Sequence, residues 1–218
     1  MTGITPSNHD LPLRPADFQT LVEALDYAAK GETGFNFYDR RGRLESALPY
    51  RELREKALVT ARRLLGLGLS RGDRVAVVAE NGPEFAIIFF ACQYAGLVPV
   101  ALPISLNLGS HGAYVESLRH LLHASRPGLA IAPVELLPFL EEAARDLPWL
   151  NTESASALDS LPALDITLQP TQPDEVAYLQ FTSGSTRFPR GVVITQAAVM
   201  SNLRGIVKEG LGVRPGDR

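Results

Sequence analysis

The sequence predicts an α/β protein with a largely parallel sheet flanked by helices on both faces, and three observations carry that prediction. Strand-like apolar runs alternate with amphipathic helical segments along most of the 218 residues, as successive βα units require. The runs 75–79, 98–102 and 129–132 are apolar throughout instead of alternating, the pattern of strands buried on both faces. Glycine stands where helices must stop, at Gly31, at Gly66 or Gly68, and at Gly96, because a left-handed residue there carries no Cβ penalty.

In chain order, residues 18–30 have helical spacing through Leu21, Ala24, Leu25 and Ala28. Residues 34–39 alternate like a strand, and Arg40-Arg-Gly-Arg43 reads as a hairpin turn. Residues 50–67 form a long amphipathic helix whose apolar face is Leu53, Ala57, Leu58, Ala61, Leu64 and Leu65. A buried strand follows at 74–79. Residues 85–104 carry no charge and are long enough to cross a membrane. Gly96, Pro99 and Pro103 break that stretch, however, and Asn81-Gly-Pro83 supplies a cap and a first-turn proline. It therefore reads as a buried helix, a turn and a strand at 98–102. A helix over 113–124 (Val115, Leu118, Leu121, Leu122), a strand at 129–132 and a helix over 136–145 come next. Residues 151–173, rich in Ser, Pro, Asp and Thr, read as a surface excursion with at most one short strand. Apolar runs at 176–181 and 192–194 flank a polar loop, and a helix over 196–208 ends the pattern.

Composition narrows the function classes. With 45% hydrophobic and 21% charged residues the chain is ordinary globular protein. A net charge of −3 gives no electrostatic case for nucleic acid. The arginines at 51, 54, 62 and 63 are interleaved with Glu52 and Glu55 and read as a solvated helix face. The one cysteine, Cys92, lies in apolar sequence and reads as a buried, inert thiol, which fits a reducing, cytoplasmic setting. Residues 1–10 are polar and do not form a signal peptide. His120 and His123 share a helical face near His111, but a zinc site needs further ligands, so no metal site is expected there. Phe89, Phe90 and Tyr94 read as core, not as a ligand pocket.

The chemistry is concentrated between residues 182 and 191. Thr182, Ser183, Ser185 and Thr186 supply hydroxyls, Gly184 and Gly191 free backbone, and Arg187 and Arg190 guanidinium groups. Such a loop suits a polyphosphate. It is not a P-loop, since no lysine lies between its glycines and a strand follows. Neither a Gly-x-Gly-x-x-Gly fingerprint nor a Gly-x-Ser-x-Gly elbow occurs. A Ser/Thr-rich hairpin without a ligand is the plain alternative.

Thr182-Ser-Gly-Ser-Thr-Arg-Phe-Pro-Arg-Gly191 resembles the phosphate-loop signature of the adenylate-forming superfamily. Supporting likenesses are Tyr50-x-x-Leu53, Gly72-Asp-Arg-Val-Ala-Val77 and Ala95-Gly-Leu-Val-Pro-Val100. Arg187-Phe-Pro-Arg190, Tyr178-Leu-Gln-Phe-Thr182 and Phe35-Asn-Phe-Tyr38 are most similar to fatty acyl-AMP ligases. The resemblance implies ATP and Mg²⁺ as cofactors, a fatty acid as substrate, and an acyl carrier protein or other phosphopantetheine group as acceptor. It implies that Thr182, Ser183, Gly184, Ser185, Thr186, Arg187 and Arg190 bind the nucleotide's phosphates. Acyl-CoA synthetases and other adenylation domains remain alternatives, as does a non-catalytic anion-binding or scaffolding module. Arg190 stands where the signature has lysine, which keeps the charge and adds bidentate reach. Gln196 stands where many members have histidine. The family's later motifs, including its catalytic lysine, are not found, so no catalytic residue is assigned. The expectation is a 17-residue extension followed, over 18–218, by the N-terminal part of an acyl-adenylating large domain. In agreement, Gly66-Leu-Gly-Leu-Ser-Arg-Gly-Asp-Arg74 leads into a strand, and its echo Gly210-Leu-Gly-Val-Arg-Pro-Gly-Asp-Arg218 ends the sequence.

Overall fold

A computed structural model describes residues 11–104, 110–182 and 190–214. Strands β1 (Gly34–Tyr38) and β2 (Leu44–Pro49) form an antiparallel hairpin apart from the main sheet. The main sheet has strands β3 (Arg74–Val78), β4 (Val98–Leu102), β5 (Leu129–Ala132), β6 (Asn151–Ser154), β7 (Val176–Thr182) and β8 (Arg190–Thr195) in the order β6-β5-β3-β4-β7-β8. All neighbours are parallel except β7 and β8.

The helices are α1 (Leu21–Ala28), α2 (Tyr50–Gly66), α3 (Pro83–Ala95), α4 (His111–Ser125), α5 (Leu137–Ala144) and α6 (Gln196–Gly205). The uninterrupted apolar strands are explained by what covers them. Val75, Val77, Leu129 and Ile131 pack under α2 and α3, against Leu53, Ala57, Leu64, Ile88 and Ala91. Their alternate neighbours Ala76, Val78, Ala130 and Ala132 pack under α4 and α5, against Leu118, Leu122, Leu140 and Ala143. A third, smaller cluster joins Phe18, Ala177, Val199 and Met200.

Two boundaries differ from the sequence reading. α1 begins at Leu21, not Phe18, because the Thr20 hydroxyl accepts the Glu23 amide and caps the helix there. Phe18 instead joins the third cluster, with the Arg14 guanidinium 4.1 Å above its ring. The one short strand allowed for in the 151–173 excursion is β6, which pairs with β5 over its full length at the sheet edge. The last helix is α-helical only to Gly205 and continues as an exposed π-helical turn, Ile206–Gly210.

The 85–104 stretch resolves as expected into α3, a left-handed Gly96 (φ 70°) and β4. Among the described residues no helix is long and apolar enough to cross a membrane.

Candidate phosphate-binding hairpin

β7 runs parallel to β3, β4, β5 and β6, so its C-terminal end reaches the sheet edge where the other parallel strands also end. Open α/β sheets bind their ligands at that edge. The chain then returns along β8 as an antiparallel edge strand. Thr182 and Arg190 face each other as the last pair of this hairpin, and the Thr182 hydroxyl donates to the Arg190 carbonyl at 3.5 Å. Both residues are exposed. Ser183, Gly184, Ser185, Thr186 and Arg187 lie outside the described residues.

Gly191 has a packing reason of its own. It pairs with Phe181, and a Cβ there would stand 3.2 Å from the Phe181 ring. Beside Thr182 a cavity of about 310 Å³ opens between Ala79, Leu102, Pro103, Leu121 and Phe181, with Ser117 and Gln180 as its polar walls.

The base of the hairpin contains a device that sequence reading missed. Val176 pairs with Thr195, but Tyr178 pairs with Ile194, so Ala177 is passed over as a one-residue bulge. Ala177 and Tyr178 consequently pack in the same cluster, while Val176 and Leu179 pack in the other. The Ala177 carbonyl accepts the Gln93 side-chain amide at 2.7 Å. Gln93 Oε1 accepts from Gln196 Nε2 at 2.5 Å and from the Thr171 hydroxyl at 3.3 Å. Gln196 Nε2 also donates to Thr171 Oγ1 at 2.9 Å, and its Oε1 accepts the Leu21 amide at 3.0 Å. Gln93 and Gln196 are both 0% exposed and Thr171 3%. The signal available in sequence was Gln93 itself, an amide within the uncharged apolar stretch 85–104.

A second clamp lies close by. Arg71 Nε and Nη2 donate to the two carboxylate oxygens of Glu175 at 2.7 and 2.5 Å, and its guanidinium also reaches the carbonyls of Gln169 and Pro170. The arginine's hydrogen bonds hold the Glu175 carboxyl below the ordinary glutamate range.

Elsewhere, Cys92 is fully buried and burial pushes its thiol far up. Tyr94 is core, but Phe89 and Phe90 are only half-buried and, with Phe35, Phe37 and Phe85, line a shallow apolar cavity of about 280 Å³. The sequence reading placed all three in the core. Tyr94 packs in the core, whereas Phe89 lies 5.9 Å from the Tyr178 ring and shares the cavity lining with Phe35 and Phe37 of the β1–β2 hairpin. His111, His120 and His123 are exposed, and His111 pairs with Glu142 at 2.6 Å. Among the described residues no group of three or more His, Cys, Asp or Glu gathers to hold a metal.

A doubly covered, mostly parallel sheet of this kind is the N-terminal architecture of adenylate-forming enzymes. The chain belongs to the AMP-binding enzyme family, which matches residues 34–218. It is 44% identical over 216 residues to a Caulobacter vibrioides (strain NA1000 / CB15N) protein whose name assigns it to the acyl-CoA synthetases, covering 99% of this chain and 37% of that one. It is 33% identical over 196 residues to the 4-hydroxybenzoate–CoA/benzoate–CoA ligase of Rhodopseudomonas palustris (strain ATCC BAA-98 / CGA009), covering 84% and 34% respectively. A solved structure from work on fatty acyl-adenylate ligases of E. coli and L. pneumophila superposes with a TM-score of 0.90 at 50% identity, over 95% of this chain and 37% of that one. The chain thus spans little more than a third of the length of these relatives.

Proposed function

We propose that this chain carries the phosphate loop of an ATP-dependent fatty acyl-AMP ligase, residues 18–218 being the N-terminal part of its large domain. The observation that carries the reading is the hairpin: the Thr182–Arg190 pair closes a hydroxyl-, glycine- and arginine-bearing loop at the ligand edge of the sheet. The 50% identity to a structure described among fatty acyl-adenylate ligases favours this branch of the family.

In the reaction the substrate carboxylate attacks the α-phosphorus of ATP and pyrophosphate leaves. Thr182, Ser183, Ser185 and Thr186 donate hydroxyl or amide hydrogens to the β- and γ-phosphates. Arg187 and Arg190 offset the charge that builds on the departing pyrophosphate. The acyl group then passes to the phosphopantetheine arm of a carrier protein. Mg²⁺ binds through oxygen ligands, commonly one or two carboxylates with the phosphates. The described residues do not fit such an ion: the cavity beside Thr182 presents no carboxylate, and neither Thr182 nor Arg190 supplies one. No step here depends on it.

Transfer to coenzyme A is the second reading, favoured by the two relatives named for CoA chemistry. A non-catalytic anion-binding module is the reading from another class. Titrating pyrophosphate into the parent and an Arg187→Ala/Arg190→Ala double variant tests the phosphate role. Loss of about 2 kcal/mol or more of binding is expected, as for two charge-assisted contacts; equal affinity sinks the role. Product analysis of the longer protein with ATP, a fatty acid and either acceptor separates the carrier-protein and CoA readings.

A further inference from the structure

We infer that Gln196, together with Gln93 and Thr171, is the register lock of the phosphate-loop hairpin, a set of positioning residues acting on the loop through the bulge at Ala177. The consequence for phosphate binding rests on the phosphate-loop reading above; the lock itself does not.

β8 is an edge strand whose first four residues are exposed. Side-chain packing therefore fixes it weakly, and an edge strand held weakly is prone to slip. A slip of one residue erases the bulge. It would set Phe181 opposite Arg190 and Leu179 opposite Val192, and would move Thr182 off its present partner. The two residues that close the loop would no longer face each other.

The bulge is held by buried polar groups that bond one another. Gln93 Nε2 occupies the carbonyl that Ala177 presents at the bulge. Gln196, the first residue of α6 directly after β8, locks the other strand to the same amide, and its backbone N–H donates to the Glu175 carbonyl at 2.9 Å. Its Oε1 accepts the first amide of α1, Leu21. A slip would strand these groups in a buried site, which costs far more than breaking an exposed bond. The network thus joins α1, α3, the Thr171 segment and the β8–α6 junction at one bulge.

The test uses the 218-residue chain and four proteins: parent, Gln196→Ala, Gln196→His, and Leu140→Val in α5 as a core control away from the hairpin. Backbone amide exchange and cross-strand NOEs report the register, and inorganic pyrophosphate reports the loop. In Gln196→Ala the β7–β8 amides are expected to exchange faster than in the parent while those of β3 and β4 do not change, with pyrophosphate binding weakened about tenfold. Neutral histidine offers one donor and one acceptor, so Gln196→His is expected to stay within about threefold of the parent. Leu140→Val is expected to lower the unfolding midpoint and leave pyrophosphate affinity alone. A folded Gln196→Ala protein with parental NOEs and exchange overturns the lock, whatever its affinity. A parent that binds no pyrophosphate, alongside a Gln196→Ala protein with altered register, upholds the lock and overturns the phosphate reading instead.

Discussion

Gly96→Ala isolates one backbone position against one side chain. Gly96 ends α3 in the left-handed region at φ 70°, where an L residue costs about 1–2 kcal/mol. A Cβ built there meets Arg71 at Nη1 2.6 Å, Cζ 3.1 Å and Cγ 3.2 Å. A free arginine would swing aside, but this one is tied to both oxygens of Glu175 and to the carbonyls of Gln169 and Pro170. Its side chain is 36% exposed, so the ion pair is screened and contributes at most about 1 kcal/mol. The sum is at most about 3 kcal/mol, a large part of a domain's usual margin. Urea unfolding should show this as a lower midpoint at unchanged slope. The decisive comparison is the same substitution in an Arg71→Ala background, where only the backbone strain remains and the cost should fall to about 1–2 kcal/mol. An equal cost in both backgrounds would show that the Cβ–Arg71 encounter contributes nothing, and the clash argument would be wrong.

Two other consequences are measurable on the same protein. Cys92, fully buried with its thiol pushed up, should resist a maleimide in the native state and react along the urea unfolding curve; prompt native labelling would contradict its burial. Glu175, held below its ordinary range chiefly by Arg71, contributes stability above the ordinary glutamate value, and that contribution is lost as pH falls through the depressed value. The stability gap between parent and Glu175→Gln should therefore be full at neutral pH and close on acidification, and a gap that does not change with pH counts against the assignment.

The architecture was legible because burial on two faces leaves a plain mark. Val75 to Val78 and Leu129 to Ala132 send alternate side chains to opposite helical layers, so no polar residue interrupts them. Gly96 and Pro83 marked the ends of α3 for the same local reasons that place them there. The hairpin was legible as two strands with a loop between, but its register was not. The run from Val176 to Phe181 is apolar or aromatic at most positions, so a bulge at Ala177 changes which residues meet without leaving a trace in hydrophobicity. Gln93 stands out as an amide in apolar sequence, but its pairing with Gln196 does not, because the two are 103 residues apart. Of the loop residues, Thr182 and Arg190 are brought together as a pair, and the rest lie outside the described residues.

Both clamps act at the same place. Glu175, gripped by Arg71, lies directly before β7, and the Gln93–Thr171–Gln196 network sits at the first residues of β7 and just past the end of β8. Among the described residues, the buried polar contacts of the hairpin are those of the Gln93–Thr171–Gln196 network at its base, whereas Thr182 and Arg190 are exposed. That division suits a ligand site. A tip tied down by its own side chains would have to break those bonds to accept an anion, and each would subtract from affinity. A hairpin positioned from its base keeps Thr182 and Arg190 exposed while the backbone beneath them stays in one register. The strongest test of this division is to weaken the base without touching the tip, and Gln196 is where the two strands can be uncoupled by a single side chain.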